Sequence, residues 1–195
     1  RTINAGPVTT FSNYSIVSEN RVALKPDELD MDIAVLFGCA LATGSGMVLN
    51  ELKPEANDSV IVLGLGGVGM SALLALIATG VKQIIAIDTD PKKIELAQSL
   101  GVTAVQYESE ESVLSFVRHF FPDGADFCIE AGGTTGTIEL GFSLINERAG
   151  QLLFASHPPA GEQISLDPQV LITGKQIRGS WGGATRPDIE VPLLS

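Results

Sequence analysis

Cysteine and positive charge are both scarce in this chain of 195 residues, and each shortage argues against a class of protein. Two cysteines are too few for a disulfide framework, and no segment resembles a signal peptide, so we expect a reducing, cytoplasmic location. The 12 Lys and Arg against 23 Asp and Glu give a net charge of −11, which argues against nucleic acid or anionic membranes as general partners. Apolar runs are short and broken by glycine, so no membrane-spanning segment is predicted.

Hydrophobic residues make up 45% of the chain and glycine contributes 21 residues, a composition typical of a globular protein. The chain opens on Arg1 and stops within the pattern "VPLLS", so we expect a piece of a longer polypeptide. The pattern of apolar and polar residues divides the chain into two unequal parts, residues 1–30 and residues 31–195. The first part alternates polar and apolar residues in "FSNYSIV" and "RVALKP", which predicts strands.

The second part is predicted to alternate helices and strands. The segment "MDIAVLFGCALATGSGMVLNEL" indicates a helix that is broken near Cys39 and stops before Pro54. From Ser59 onward, apolar runs alternate with segments of helical period, and the predicted strands are "SVIVLG", "QIIAID", "TAVQY", "ADFCIEA", "GQLLFAS" and "QIRGSWGG". Their near-continuous hydrophobicity favours a parallel sheet with helices on both faces, so the predicted fold class is α/β, doubly wound.

The segment "GLGGVG", Gly64 to Gly69, follows a predicted strand and opens a predicted helix. Its first glycine suits a tight turn, the second admits a pyrophosphate close to the backbone, and the third allows helix and strand to pack closely. The next predicted strand ends at Asp88, about 20 residues further on, where a carboxylate accepts hydrogen bonds from ribose hydroxyls. The alternatives are a structural turn with a surface Asp, and a methyltransferase, which uses a related glycine loop.

The residues around Asp88 favour NAD over NADP. A carboxylate at this position repels a 2′-phosphate, and Thr89 stands where an NADP enzyme often carries Arg. Lys93 is close enough in sequence to reach the same ribose, although a solvated lysine on a helix is the simpler interpretation.

The thiol of Cys39 has two interpretations from the residues alone. A small buried hydrophobe is the commoner role for a lone cysteine, whereas a catalytic zinc needs three protein ligands and an open fourth position. His119 and His157 are the only histidines, and neither belongs to a spaced ligand motif. His157 follows a predicted strand and is expected at the sheet edge where ligands bind, His119 is expected on a helix surface, and Cys128 in the core.

The combination of "GCALATGSG", "GLGGVG" and "IIAID" resembles the zinc-dependent medium-chain alcohol dehydrogenases, and the similarity covers essentially the whole chain. The resemblance implies a Rossmann NAD(P)-binding domain at residues 31–195, truncated at its C-terminal end. It identifies residues 1–30 with the closing strands of a β-rich, GroES-like catalytic domain. By the family pattern, two further catalytic zinc ligands and a four-cysteine structural zinc lobe are absent from this chain.

The resemblance also assigns roles to individual residues. It matches Cys39 to a catalytic zinc ligand and Thr43 to the residue beside the nicotinamide. It implies that the loops "EAGG" and "ASHPP" flank the dinucleotide and that "SWGG" lies near the cofactor, where we expect Trp181 to pack at the domain edge or in a dimer seam. The residues expected to bind the coenzyme are Gly64, Gly66, Gly67, Val68, Gly69, Asp88, Lys93, Ala131, Ser156 and His157. Among them, His157 departs from the family, which more usually has a small apolar residue in that loop.

The implied activity is hydride transfer between NAD and an alcohol or its aldehyde or ketone, with zinc as the Lewis acid in the whole enzyme. Taken alone, the chain is expected to be metal-free, to bind NAD weakly at most and to have no turnover. The family also implies a homo-oligomer formed through the coenzyme domain. Two alternatives stay open: a zinc-free quinone or enoyl reductase, against which Cys39 counts, and a non-catalytic NAD-sensing module.

Overall fold

The computed structural model describes residues 12–19 and 22–194, the last four of them by backbone alone. Leu36–Thr185 forms one compact unit, and the described residues on either side of it belong to a separate unit. All six strands of the sheet lie within Leu36–Thr185.

The sheet has six parallel strands in the order β3-β2-β1-β4-β5-β6. The strands are β1 (Ser59–Leu63), β2 (Gln83–Asp88), β3 (Thr103–Gln106), β4 (Phe127–Glu130), β5 (Gln151–Phe154) and β6 (Gln176–Gly179). The order reverses between β1 and β4, which is the topological switch point of a doubly wound fold. The predicted α/β Rossmann architecture is therefore confirmed.

Helices connect the strands, and short side-chain caps define where several of them begin. The α-helices are α1 (Met31–Ala34), α2 (Ala40–Gly46), α3 (Gly67–Ala78), α4 (Pro91–Ser99), α5 (Glu110–Phe120), α6 (Thr135–Leu144), α7 (Pro168–Ile172) and α8 (Pro187–Leu194). The Asp90 carboxylate accepts the Lys92 N–H at 2.9 Å before α4, and reciprocal capping boxes at Ser109 and Thr134 open α5 and α6. Gly80, at φ 81°, follows the C-cap residue Thr79 and turns the chain out of α3.

The predicted break near Cys39 is also present. A 3₁₀ turn at Val35–Gly38 precedes Cys39, whose backbone lies outside the helical region at φ −153° and ψ −74°. After α2, the chain continues as a π-helical segment, Met47–Leu52, and stops at Lys53, directly before Pro54. The pattern of small residues predicted a helix here, but it gave no sign that its second half would widen to the π form.

Hydrophobic layers cover both faces of the sheet, which explains why the strand segments read as continuous apolar runs. Val60 and Val62 of β1 face the layer that contains α3 and α4, whereas Ile61 and Leu63 face the layer that contains α5 and α6. Cys128 is fully buried in the second layer, as predicted. The sheet therefore has no solvent-facing side at β1 or β4, and the strand ends are the places left for a ligand.

The strands predicted in "FSNYSIV" and "RVALKP" are wrong for the part of these segments that the structure describes. Residues 12–19 and 22–30 contain no strand, while Phe11 and Arg21 lie outside the described residues. The side chains of Tyr14 and Ile16 are 93% and 100% exposed. Alternation makes a strand only when a neighbouring strand pairs with its N–H and C=O groups, and no such neighbour is described here. The assignment of residues 1–30 to a GroES-like domain stays a prediction.

The strand predicted at "QIRGSWGG" is shorter than expected. β6 ends at Gly179, and Gly182 and Gly183 turn the chain with φ values of 67° and 66°. Residues within a strand do not have positive φ values of this kind. The two glycines instead form a turn that returns the chain toward α2.

In the described part of the chain, no single helix is long and apolar enough to cross a membrane. One bent pair, Met31–Gly38 with Ala40–Leu52, passes the test of length and composition only when its two halves are taken together.

We predict that Ile129→Ala lowers the free energy of unfolding by about 2–5 kcal/mol, because Ile129 is fully buried in β4 and the substitution leaves a cavity. Urea unfolding measures the change. Leu96→Ala is the matched control, since Leu96 is 49% exposed on α4 and its truncation should cost less than about 1 kcal/mol. A loss at Ile129 no larger than the control would contradict a core packed on both faces.

Candidate functional site

The carboxyl ends of β1, β2 and β4 enclose a cavity of about 480 Å³ at the switch point. Ligands of open α/β sheets bind at this position, because the loops on either side of the reversal diverge and leave a crevice. The residues lining the cavity are Leu63, Gly64, Gly66, Ile87, Asp88, Thr89, Lys93, Tyr107, Glu110, Ala131, Gly132, Thr134, Gly136, Thr137 and Leu140.

The three glycines of "GLGGVG" occupy three different environments. Gly64 has φ 91°, and a Cβ there would lie 2.7 Å from the carbonyl carbon and oxygen of Ala131. A Cβ on Gly69 would collide with the carbonyl oxygen of Gly64, so the third glycine allows the helix to close over the turn. A Cβ on Gly66 would meet nothing within 4 Å. The backbone is thus tightly packed at Gly64 and Gly69 and open at Gly66, which suits the approach of a pyrophosphate.

The N-terminus of α3 lies directly behind this open position. Gly66 is its N-cap residue, and no side chain caps the helix. The first N–H groups of a helix have no intrahelical acceptors, and the helix dipole adds partial positive charge there. Gly67 and Val68 stand in this first turn and are accessible from solvent. An anion such as a pyrophosphate fits the space at Gly66 and the charge of this turn.

Asp88 ends β2 and lies beside the glycine turn, with only 8% of the residue exposed. Its Oδ2 accepts the Leu65 N–H at 2.6 Å, and its Oδ1 accepts the Asp90 N–H at 2.9 Å. The Lys93 ammonium lies 3.3 Å from Oδ2. Burial alone raises the pKa of Asp88, but the two backbone N–H groups and the Lys93 charge outweigh it and hold that pKa below its ordinary value. Asp88 therefore presents an ionised carboxylate to the cavity.

The loop after β4 forms the opposite wall and is held by the buried carboxylate of Glu130. Its Oε1 accepts hydrogen bonds from the Gly132 N–H and the Thr137 hydroxyl, both at 2.7 Å. The side chain is fully buried, and Oε2 has no hydrogen-bond partner among the described residues. From the sequence, Glu130 is recognisable only as the first residue of the loop motif "EAGG". A single acid at the end of the apolar run "ADFCIE" was the signal that it has a fixed structural task.

The predicted residues Ser156 and His157 lie on the loop after β5. The Gly133 N–H donates to the Ser156 hydroxyl at 2.7 Å, so this loop is joined to the loop after β4. His157 is exposed, and its ring contacts Trp181 edge to face, with the ring centroids 5.3 Å apart. Trp181 is itself 85% exposed within this chain and lies outside the core. Among the predicted binding residues that follow β4 in the chain, Ala131 lines the cavity, whereas Ser156 and His157 do not.

Cys39 and Thr43 lie one turn apart at the start of α2, with the Thr43 N–H donating to the Cys39 carbonyl at 2.9 Å. Cys39 is exposed, so it does not belong to the hydrophobic core of the described residues. α2 packs so closely on α3 that a Cβ on Gly44 would collide with the carbonyl oxygen of Val68. The Ser71 hydroxyl of α3 donates to the Leu41 carbonyl at 2.7 Å. These contacts hold Cys39 and Thr43 at a fixed distance from the glycine turn.

The residues present do not by themselves fit a zinc ion. No group of three or more His, Cys, Asp or Glu side chains converges in the part of the chain that the structure describes, and a catalytic zinc needs three protein ligands. His119 is exposed in the last turn of α5, where its ring contacts Phe120 at 5.2 Å between centroids. The role of Cys39 as a zinc ligand therefore stays a prediction.

Comparison with known proteins gives one family and several structural relatives. The family model described as zinc-binding dehydrogenase matches residues 67–194. Alcohol dehydrogenase 6 of Peromyscus maniculatus is 29% identical over 187 residues, which is 95% of this chain and 50% of that protein. The benzyl alcohol dehydrogenase structure from Acinetobacter calcoaceticus matches with a TM-score of 0.89 and 28% identity, covering 96% of this chain and 52% of that one.

A second solved structure gives the same result. The alcohol dehydrogenase zinc-binding domain protein from Burkholderia ambifaria matches with a TM-score of 0.87 and 30% identity, and the match covers 96% of this chain and 51% of that one. The chain thus spans about half the length of the relatives that it matches.

We predict that acid removes the stabilisation that Asp88 gives to the fold. Because folding lowers the pKa of Asp88, its charge contributes fully above the unfolded value of 3.8 and this contribution is lost as the pH falls through the lower, folded value. Urea unfolding of the wild type and Asp88→Asn should show a stability difference that shrinks from pH 6 to pH 3. A difference that grows over this range would contradict the hydrogen-bond assignment.

We predict that Glu130→Ala lowers the free energy of unfolding by about 2–4 kcal/mol, because the Gly132 N–H and the Thr137 hydroxyl lose a buried acceptor. Glu130→Gln should retain most of the stability, since its amide oxygen replaces Oε1 as the acceptor of both hydrogen bonds. Urea unfolding of the two variants measures this difference. Equal losses in both would show that the carboxylate does not act through these two hydrogen bonds.

Proposed function

The chain belongs to the zinc-binding dehydrogenase family, and on that basis we propose that it is the NAD-binding part of an alcohol dehydrogenase. One observation carries the coenzyme assignment: the ionised carboxylate of Asp88 and the open position at Gly66 line the same cavity. This pair of features matches two neighbouring groups of a dinucleotide: an acceptor for the hydroxyls of its adenosine ribose and a space for its pyrophosphate.

In this proposal, the pyrophosphate lies over Gly66 and receives hydrogen bonds from the first turn of α3. The ribose hydroxyls donate to Asp88. Each Asp88 oxygen already accepts one backbone N–H, from Leu65 or Asp90, and a longer contact of 3.3–3.4 Å from the Lys93 ammonium, which the ribose hydroxyls replace. Lys93 stabilises the carboxylate by its charge, at 3.3 Å. The site is therefore rigid before the coenzyme enters, which reduces the entropy cost of binding.

The same carboxylate supports a preference for NAD over NADP. A 2′-phosphate carries a charge of about −2 and would lie next to Asp88. Asp88 keeps its own negative charge because its pKa is lowered. The nearest cation that lines the cavity, Lys93, is already paired with Asp88. Thr89 offers no positive charge to offset the repulsion.

The proposed reaction is hydride transfer between a small alcohol, or the corresponding aldehyde or ketone, and the nicotinamide ring. NAD supplies the hydride acceptor when it is bound. Thr43 is the residue proposed to position the reacting ring, because the packing of α2 on α3 fixes it relative to the glycine turn. Cys39 is proposed as one zinc ligand of the whole enzyme, and no step is assigned to zinc because the described residues do not complete a zinc site.

We also propose that the chain forms a homo-oligomer through the coenzyme domain. β6 is an edge strand of the sheet, so the N–H and C=O groups of one side have no strand partner in the described residues. Such an edge is a template for pairing with a second copy. Trp181 follows β6 closely and is 85% exposed, so it is placed to be covered in that arrangement.

We predict that NAD binds the chain and that Asp88→Ala weakens this binding by about tenfold or more, because two hydroxyls lose a charged acceptor. Protein-observed NMR titration measures dissociation constants even when binding is weak. Asp88→Asn serves as a second variant: it removes the repulsion of a 2′-phosphate and should raise the affinity for NADP relative to NAD.

Asp123→Ala is the matched control, because Asp123 is an exposed carboxylate that does not line the cavity. Unchanged NAD affinity in Asp88→Ala, or an equal loss in the control, would refute the assignment of Asp88.

A further inference from the structure

The turn after β6, residues 180–185, lies against α2 at the position of Thr43. A Cβ on Gly183 would collide with the Thr43 carbonyl oxygen, so the backbones of these two residues are in direct contact. The Thr185 hydroxyl donates to the Ala42 carbonyl at 2.8 Å and joins the end of the turn to the same part of α2. The position of this turn therefore constrains the position of Thr43.

The carboxylate of Glu51, in the π-helical segment after α2, holds this turn. Its Oε1 accepts a hydrogen bond from the Ser180 hydroxyl, and its Oε2 lies 3.2 Å from Nη2 of Arg178 in β6. Only 11% of the Glu51 side chain is exposed. The Ser180 hydroxyl oxygen also accepts the Gly183 N–H at 3.2 Å. Because a hydroxyl has a single hydrogen, donation to Glu51 turns its lone pairs toward Gly183. Glu51 thus orients Ser180, and Ser180 holds the glycine that contacts Thr43.

Two neighbouring side chains of the π-helical segment, Asn50 and Glu51, reach the turn. The Asn50 amide donates to the Gly183 carbonyl at 3.2 Å. π-Helical segments are rare and frequently occur at functional sites. Of the two side chains only Glu51 is charged, and a hydrogen bond to a carboxylate is about twice as strong as one between neutral groups. Glu51 therefore makes the stronger of these two contacts with the turn.

Under the proposed function, on which this inference rests, Thr43 positions the nicotinamide ring. A displacement of about 1 Å at a reacting group can lower a rate by about a hundredfold, so the support of such a residue matters. We infer that Glu51 is a positioning residue: through Ser180 and the turn after β6, it holds Thr43 where the ring binds. Neither Glu51 nor this turn lines the cavity that contains Gly66 and Asp88. Loss of Glu51 should therefore weaken the contribution of the nicotinamide to binding and leave that of the ADP-ribose unchanged.

NMR titrations of the chain with NAD and with ADP-ribose, which lacks the nicotinamide ring, test this inference. The wild type should bind NAD more tightly by about threefold or more, the effect of one neutral hydrogen bond or a comparable contact. The differences in chemical shift between the two complexes should be largest at the Thr43 and Gly183 amides. In Glu51→Ala the ratio of the two affinities should fall to about one, while the affinity for ADP-ribose changes by less than about twofold.

Three further variants define the cause. Glu51→Gln should keep most of the wild-type ratio, because its amide oxygen still accepts the Ser180 hydroxyl. Ser180→Ala should lower the ratio as Glu51→Ala does, because it removes the hydroxyl that joins Glu51 to Gly183. Glu55→Ala is the matched control: it removes the same charge from an exposed residue nearby in the sequence, which does not line the cavity, and should keep the wild-type ratio.

The outcomes separate this inference from the proposed function. Equal affinities of the wild type for the two ligands, or an unchanged ratio in Glu51→Ala, would overturn the role of Glu51 while the proposed ADP-ribose site stands. An equal loss for both ligands in Glu51→Ala would show a structural role only, and a ratio that falls equally in Glu55→Ala would show a general charge effect. Either result would overturn the inference. If neither ligand binds at millimolar concentration, the proposed function fails and the inference fails with it.

Discussion

The hydrogen bond from the Leu65 N–H to Asp88 Oδ2 is the interaction on which the rest of the site depends. It joins the glycine turn after β1 to the end of β2 and fixes the direction in which the carboxylate points. The same carboxylate accepts the Asp90 N–H, and Asp90 in turn caps α4. One side chain thus sets the turn, the next helix and the acceptor offered to a ribose. Its proposed role in binding uses the same oxygens as its role in folding, so Asp88→Asn is a more informative variant than Asp88→Ala, and pH is a useful second probe.

Two further contacts complete the frame around this turn. On one side, Glu130 holds the loop after β4 so that the Ala131 carbonyl meets Gly64, where only a glycine fits. On the other side, Gly44 allows α2 to lie against the backbone of α3 at Val68. The three contacts leave few alternative positions for the loops that line the cavity. A preformed site of this kind binds a flexible dinucleotide at a lower entropy cost than a site that must first be ordered.

Much of this arrangement was predictable from the sequence, because apolar runs of β-branched residues and glycines at fixed spacing follow directly from backbone sterics. The strands from β1 to β5, the turn at Gly64 and the position of Asp88 all follow from such local rules. Glu130 was not found in this way, since its role depends on which strand ends and loops meet in space. The strands predicted near Tyr14 failed for a related reason: alternation is a local signal, but a strand exists only with a partner, and none is described there.

We propose that the crevice between β1 and β4 is the dinucleotide site, and an amide-resolved NMR map of the chain during titration with NAD tests this most directly. The largest shifts are expected on the glycine turn at Gly64–Gly66, at Asp88, and on the loop at Ala131–Gly133. Shifts confined to the amino ends of the strands, around Arg118 and Arg148, would contradict this proposal. The absence of any saturable shift would contradict it as well.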